Sequence, residues 1–217
     1  MMQEPDTEML FAVWILSGIG GAWSVAMTAT DNSAPRYGQR QPAPALTMGQ
    51  FTEPRLLVPR LLSNRQEGAI QELAKRLEAT GRIQDATAFT KAVAGREVDL
   101  PTFAGDGVAI PHGRGGAVRT LSMAVGLSAA GIRWDRGHHL TARVVFLFAI
   151  PLWEASTYLA LLSGLSTLMQ DEAAFAALKT ATQPEVMLRV LQGVRWVRIG
   201  RAGHSAASDG APVARET

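Results

Sequence analysis

Residues 142–150 read ARVVFLFAI, a run broken only by the side chain of Arg143. So short and so apolar a segment has no polar face to turn toward water, which suits a central strand covered on both faces. Covering both faces takes helices, and the flanking sequence supplies them. Downstream, a long helix is expected over about 154–169, a short one over 171–180, and a last one that Thr182 caps with Glu185 three positions on. Upstream, 107–111 and 120–127 read as further strands. Earlier still, Ser63 followed three residues later by Gln66 has the form of a capping box. Ala69, Ile70, Leu73, Ala74 and Leu77 then recur on one helical face, with Gly81 placed to end the helix. Asp85 can cap a second helix with Phe89, Ala92 and Val93 turned inward, and 55–59 is a short extended apolar stretch. Alternating helices and apolar strands predict an α/β fold, a single layered domain over residues 48–193 with a central mixed β-sheet flanked by helices on both faces.

The chain of 217 residues holds one such domain plus extensions. Residues 1–47 form an N-terminal extension, in which 9–30, MLFAVWILSGIGGAWSVAMTAT, carry no charge and 31–47 are a Pro- and Ala-rich linker. The uncharged run is long enough to span a bilayer, which needs about 20 apolar residues. Acidic residues before it and Arg36 and Arg40 after it would leave the C-terminal bulk in the cytoplasm. The rival reading is a non-native extension, with translation beginning at Met48. A cleaved signal peptide fits poorly, because its first region should be positive. Both leading readings place the domain in the cytoplasm, and the first tethers it to the membrane through 9–30. Residues 194–217 are polar and rich in small residues, and are expected to be a disordered tail.

Composition removes several classes of chemistry. The chain has no cysteine, so disulfides, thiolate catalysis and cysteine metal sites are excluded. A formal net charge of +2 supplies no general attraction for nucleic acid.

The stretch that carries chemistry is 96–113, REVDLPTFAGDGVAIPHG. Gly105 and Gly107 allow tight turns, and Val108, Ala109 and Ile110 form a short apolar strand. Pro111 fixes the chain direction, so that His112 stands at the strand's end. Gly113 adds no side chain, which would let a phosphate or a partner's backbone come close. A neutral imidazole is a competent nucleophile near pH 7, since its ordinary pKa is about 6.5. On residues alone, a surface or core-edge histidine is the commoner reading.

The segment resembles the signature of the fructose/mannitol-type IIA domain of the bacterial phosphotransferase system, a family that includes the nitrogen-regulatory IIA branch. The signature positions are Glu97, Ala104, Gly105, Val108, Ala109, Ile110, Pro111, His112 and Gly113, with Ala104 smaller than the usual residue. The resemblance implies that His112 accepts phosphate from an HPr-like phosphocarrier and passes it to a separate IIB subunit, or holds it as a regulatory signal. It implies that Arg96 stabilises the phosphate's charge, and that Thr102 donates a hydrogen bond near the site. No cofactor or metal is implied. The family often places a second histidine opposite the first, and the matching position here is Tyr158, which can hydrogen-bond but cannot become a cation near pH 7. That departure leans the reading toward regulation rather than fast sugar flux. It also leaves an alternative open, an inherited IIA fold that acts as a non-catalytic binding module.

Other features carry less. His138 and His139 lack carboxylate partners at ligand spacing and read as a solvated loop, and His204 falls in the tail. Residues 113–116, GRGG, have no following Lys-Ser/Thr and are not a P-loop, although Arg114 could meet an acidic partner. Arg195, Arg198 and Arg201 read as a solvated cluster. Trp153 is expected to close the core rather than to face a partner.

Overall fold

The computed structural model describes residues 46–196, apart from 100, 136, 138 and 139. Eight strands and five α-helices are described: β1 (Leu46–Thr47), β2 (Leu57–Val58), α1 (Gln66–Ala79), α2 (Ala86–Asp99), β3 (Phe103–Gly105), β4 (Val108–Ala109) and β5 (His112–Arg114) come first. They are followed by β6 (Ser122–Arg133), β7 (Thr141–Ile150), α3 (Ala155–Gln170), α4 (Glu172–Lys179), α5 (Pro184–Gly193) and β8 (Arg195–Trp196).

The apolar run is the centre of the sheet. Strand order is β2-β6-β7-β4-β3, with β5 also on β7. β6 lies antiparallel to β7, while β4 and β5 run parallel to it, so the sheet is mixed. Side chains alternate across β7 as a strand requires. Val144, Phe146, Phe148 and Ile150 enter a core shared with Leu161, Leu165 and Leu168 of α3, Phe175 of α4 and Met187 and Leu191 of α5. Val145, Leu147 and Ala149 face Ile70, Leu73 and Leu77 of α1 and Val93 of α2. Each fully buried Phe or Leu contributes about 1.5–3 kcal/mol, so this strand needs no polar edge residue to hold its place.

Local signals account for most boundaries. The Asp85 carboxylate accepts from the N–H groups of Thr87 and Ala88 at 2.8 and 2.9 Å and starts α2. Gly81, at φ +72, ends α1: its N–H reaches the Glu78 carbonyl and that of Arg82 the Leu77 carbonyl. Asp106 (φ +47) and Gly107 (φ +74) form the two-residue turn of the β3–β4 hairpin, a conformation that favours an Asp-Gly pair.

Five expectations are corrected. Ser63 does not cap α1, because its hydroxyl turns back to the backbone of Arg65 and the helix begins one residue later. Thr182 does not cap α5 either: Pro184, which has no N–H to be capped, takes the first turn and Gln183 precedes it. Ala92 is exposed, since α2 buries only a narrow stripe at Val93. β6 continues to Arg133 because a bulge between Leu127 and Ile132 absorbs extra residues before pairing resumes. Folded structure also extends past both expected boundaries, since β8 pairs antiparallel with β1 through Leu46↔Trp196 and Thr47↔Arg195, and Val194 is buried. No helix among the described residues is long and apolar enough to cross a membrane. Residues 9–30, His138, His139, Arg198, Arg201 and His204 lie outside the described residues.

Candidate functional site

His112 stands on β5, which continues the line of β4 after a break at Ile110 and Pro111. Register on β7 is kept across the break, from Val108↔Val144 to His112↔Phe148. Proline cannot donate to the ladder, so the strand is interrupted without being shifted. β3 pairs with β4 alone, which leaves β7 as the strand neighbour of β5. The imidazole is therefore carried near the C-terminal end of the central strand, half-buried, with a rigid sheet behind it.

Alternation along β5 sends His112 and Gly113 to opposite faces. On the α3 side, the His112 ring meets Tyr158, with centroids 5.7 Å apart, and Tyr158 meets Phe148 edge-on at 5.6 Å. On the α2 side, a Cβ on Gly113 would lie 2.5 Å from Phe89 Cε2 and 2.9 Å from Val93 Cγ2. This corrects the expectation for Gly113. The space that its missing side chain leaves is filled by α2, not open to a phosphate.

His112 Nδ1 lies 3.4 Å from the Ile110 carbonyl oxygen, a contact that suits the tautomer with its proton on Nδ1 and its lone pair on Nε2, since a carbonyl can only accept. Burial, then the charge of Arg96, hold the imidazole pKa below its ordinary value, and the Ile110 hydrogen bond only partly opposes them. The ring is thus neutral at pH 7, the form in which an imidazole has a free lone pair. Arg96 lies in the last turn of α2 and is exposed, and its field reaches both His112 and Tyr158. Burial pushes the Tyr158 phenol well above its ordinary value, with Arg96 opposing and Glu97 adding to the rise, so Tyr158 is a neutral hydrogen-bonding group.

Thr102 behaves differently from expectation. Its hydroxyl donates to the Glu97 carboxylate and its N–H donates to Glu97 Oε2 at 3.0 Å. A hydroxyl has one proton, and this one is committed to Glu97 rather than to a phosphate. Trp153 is likewise corrected: it is 69% exposed, beside Leu152 at 55%, in the turn that follows β7. Pro151 ends the strand and turns the chain outward before α3, so the indole faces solvent. Arg114 Nη2 donates to the Leu152 carbonyl at 2.6 Å and ties β5 to this turn.

Sequence reasoning assigned no role to Glu97 beyond its place in the motif, nor any to Trp134. Glu97 is 3% exposed and accepts a 2.9 Å hydrogen bond from Trp134 Nε1 as well as those from Thr102. Nothing local signals a pair 37 positions apart in the chain. Among the described residues, no group of three or more His, Asp or Glu side chains is placed to hold a metal ion.

Residues 50–194 match the family model described as the phosphoenolpyruvate-dependent sugar phosphotransferase system, EIIA 2. The chain belongs to that EIIA type 2 family. Its folded unit is thus a IIA domain, the phosphoryl-carrying component of such a system. This IIA domain is 36% identical over 128 residues to the 2-O-alpha-mannosyl-D-glycerate-specific EIIABC component of Escherichia coli, covering 58% of this chain and 20% of that protein. The chain thus spans about a fifth of the length of the curated relatives that it matches first. In fold, the IIA domain resembles the nitrogen regulatory protein IIA-Ntr of Neisseria meningitidis, at TM-score 0.60 and 21% identity over 66% of this chain and 98% of that one. It also resembles IIA mannitol of E. coli in its complex with phosphorylated IIB mannitol, at TM-score 0.56 and 21% identity over 65% and 96% of the two chains.

Proposed function

We propose that this IIA domain takes a phosphoryl group onto Nε2 of His112 from the phosphohistidine of an HPr-like carrier, and passes it to a IIB partner or holds it as a regulatory signal. The observation that carries the proposal is the Nδ1 contact with Ile110, which directs the imidazole's lone pair to Nε2 while the ring stays neutral. As the new Nε2–P bond forms, the donor's N–P bond breaks and its electron pair returns to the donor imidazole. Positive charge grows on the His112 ring during attack, and the Ile110 carbonyl accepts the Nδ1 proton that bears it. Arg96 supplies the field for the phosphate's charge, because a loose phosphoryl transfer needs positioning and electrostatic support more than covalent help. The exposed Leu152 and Trp153 supply apolar area next to the site for a protein partner.

A regulatory use is favoured by Tyr158, whose ring lies tilted against that of His112 at the position where the family often has a second histidine that could offer a cation. Without that cation the phosphorylated state is longer-lived and transfer slower. The test is phosphorylation of the purified protein by general phosphotransferase components and phosphoenolpyruvate. An acid-labile, base-stable label that is absent from His112→Ala is the expected result. Failure of the wild-type protein to take label overturns the proposal in favour of a binding module that works by contact alone.

A further inference from the structure

Thr102, held at two atoms by Glu97, presents its carbonyl to the Ile110 N–H at 2.8 Å. Ile110 in turn presents its own carbonyl to His112 Nδ1 at 3.4 Å. A continuous line of hydrogen bonds therefore runs from the buried indole of Trp134, through the Glu97 carboxylate, Thr102 and Ile110, to the imidazole. Glu97 also follows Arg96 directly in the last turn of α2, so whatever anchors Glu97 anchors the guanidinium's point of attachment. A carboxylate at 3% exposure would be a costly choice for filling space alone, since burying it demands donors for its oxygens. Here its donors are the Thr102 hydroxyl and N–H, in the segment before the active strand, and the Trp134 indole, just past the end of β6.

We infer that Glu97 is a positioning residue for phosphoryl transfer, which sets the Nδ1–H form of His112 through Thr102 and Ile110 and holds Arg96 beside it. The inference rests on the proposed role of His112 as acceptor. Glu97 touches neither phosphate nor imidazole, and acts through the backbone that does. Glutamine can reproduce the clamp: its carbonyl takes the two N–H donors at Oε2, and its amide donates to Thr102 Oγ1, whose proton then turns away. Alanine cannot.

The test compares the full chain with Glu97→Ala, Glu97→Gln, Trp134→Phe and Leu73→Ala, the last a core truncation in α1 that controls for lost stability. Two readouts are taken below the melting transition: the ring tautomer of His112 by nitrogen-15 NMR, and single-turnover phosphate uptake. Expected are a dominant Nδ1–H form in the wild type, a mixture of tautomers in Glu97→Ala, and uptake slowed about tenfold or more, as a small misplacement of reacting groups produces. Glu97→Gln should stay within about threefold of wild type, Trp134→Phe should fall between the two, and Leu73→Ala should keep both readouts. The inference is overturned if Glu97→Ala retains the tautomer and the rate, or if Leu73→Ala changes both as much. Should Glu97→Ala fail to fold, an unaltered tautomer in Trp134→Phe is enough to overturn it. A wild type that takes no phosphate refutes the acceptor role, while the tautomer readout still judges Glu97.

Discussion

Replacing Gly113 by alanine asks whether the glycine after His112 serves the core or the phosphate. The position has no positive φ, so alanine carries no backbone strain there. By restricting the unfolded chain it would stabilise by about 0.4–1 kcal/mol if nothing else changed. The new Cβ would, however, sit 2.5 and 2.8 Å from Phe89 Cε2 and Cζ and 2.9 Å from Val93 Cγ2. Carbon atoms rest at about 3.5–4.0 Å, so α2 or β5 must move by about 1 Å, and overpacking of this kind costs about 1–3 kcal/mol. The two effects leave a net loss of about 1.5 kcal/mol. At about 2–4 °C per kcal/mol for a domain of this size, the melting temperature should fall by about 3–6 °C. Scanning calorimetry measures the loss. Phe89→Leu should be destabilising alone yet partly rescue Gly113→Ala, with a coupling of about 1 kcal/mol in a double-mutant cycle, because it removes the ring that the methyl strikes. Phosphate uptake by Gly113→Ala should recover together with stability in the double variant. A Gly113→Ala protein that melts like wild type but takes no phosphate would refute this reasoning and return the glycine to the phosphate.

Further outcomes follow from the site. Because burial and Arg96 depress the His112 pKa, its ring stays neutral as pH falls past 6.5, so phosphate uptake should hold its plateau to below that pH and decline only lower. Arg96→Gln should move the NMR-detected midpoint upward, and a wild-type midpoint at or above 6.5 contradicts the assignment. Tyr158→His should speed phosphate transfer by restoring an ionisable ring opposite His112, and an unchanged single-turnover rate removes the inference that Tyr158 prolongs the phosphorylated state. Trp153→Ala should leave the melting temperature within about 1 °C of wild type, since the ring is 69% exposed. It should weaken binding of the phosphocarrier or IIB partner about tenfold, and titration calorimetry that finds both partners unaffected excludes Trp153 from the docking surface.

The legible parts of this protein are those whose cause lies within a few residues. The apolar run over 142–150 specifies a strand without neighbours to consult, the Asp85 carboxylate reaches N–H groups two and three positions on, and Gly105 and Gly107 take the positive φ values that a tight turn asks of them. Where local chemistry had a rival, it misled: the Ser63 hydroxyl bonds the backbone of Arg65 instead of capping the helix, and Pro184 displaced the cap expected at Thr182. His112 itself was visible because a Pro-His-Gly sequence after an apolar strand is a local arrangement, although the expected strand over 107–111 breaks at Ile110 and Pro111 and His112 begins β5.

The amino-acid sequence alone determined the central strand, the helices that flank it and the histidine that follows a short apolar strand, since burial period and turn chemistry act along the chain. Only the tertiary structure decided that α2 closes on Gly113, that Tyr158 covers the imidazole from the opposite face, that Trp134 bonds a carboxylate 37 positions away, and that Trp153 faces water. Those contacts arise when two helical layers settle on a sheet of given register. Distances between chain-remote residues are set by that packing, and no pattern within a single segment encodes them.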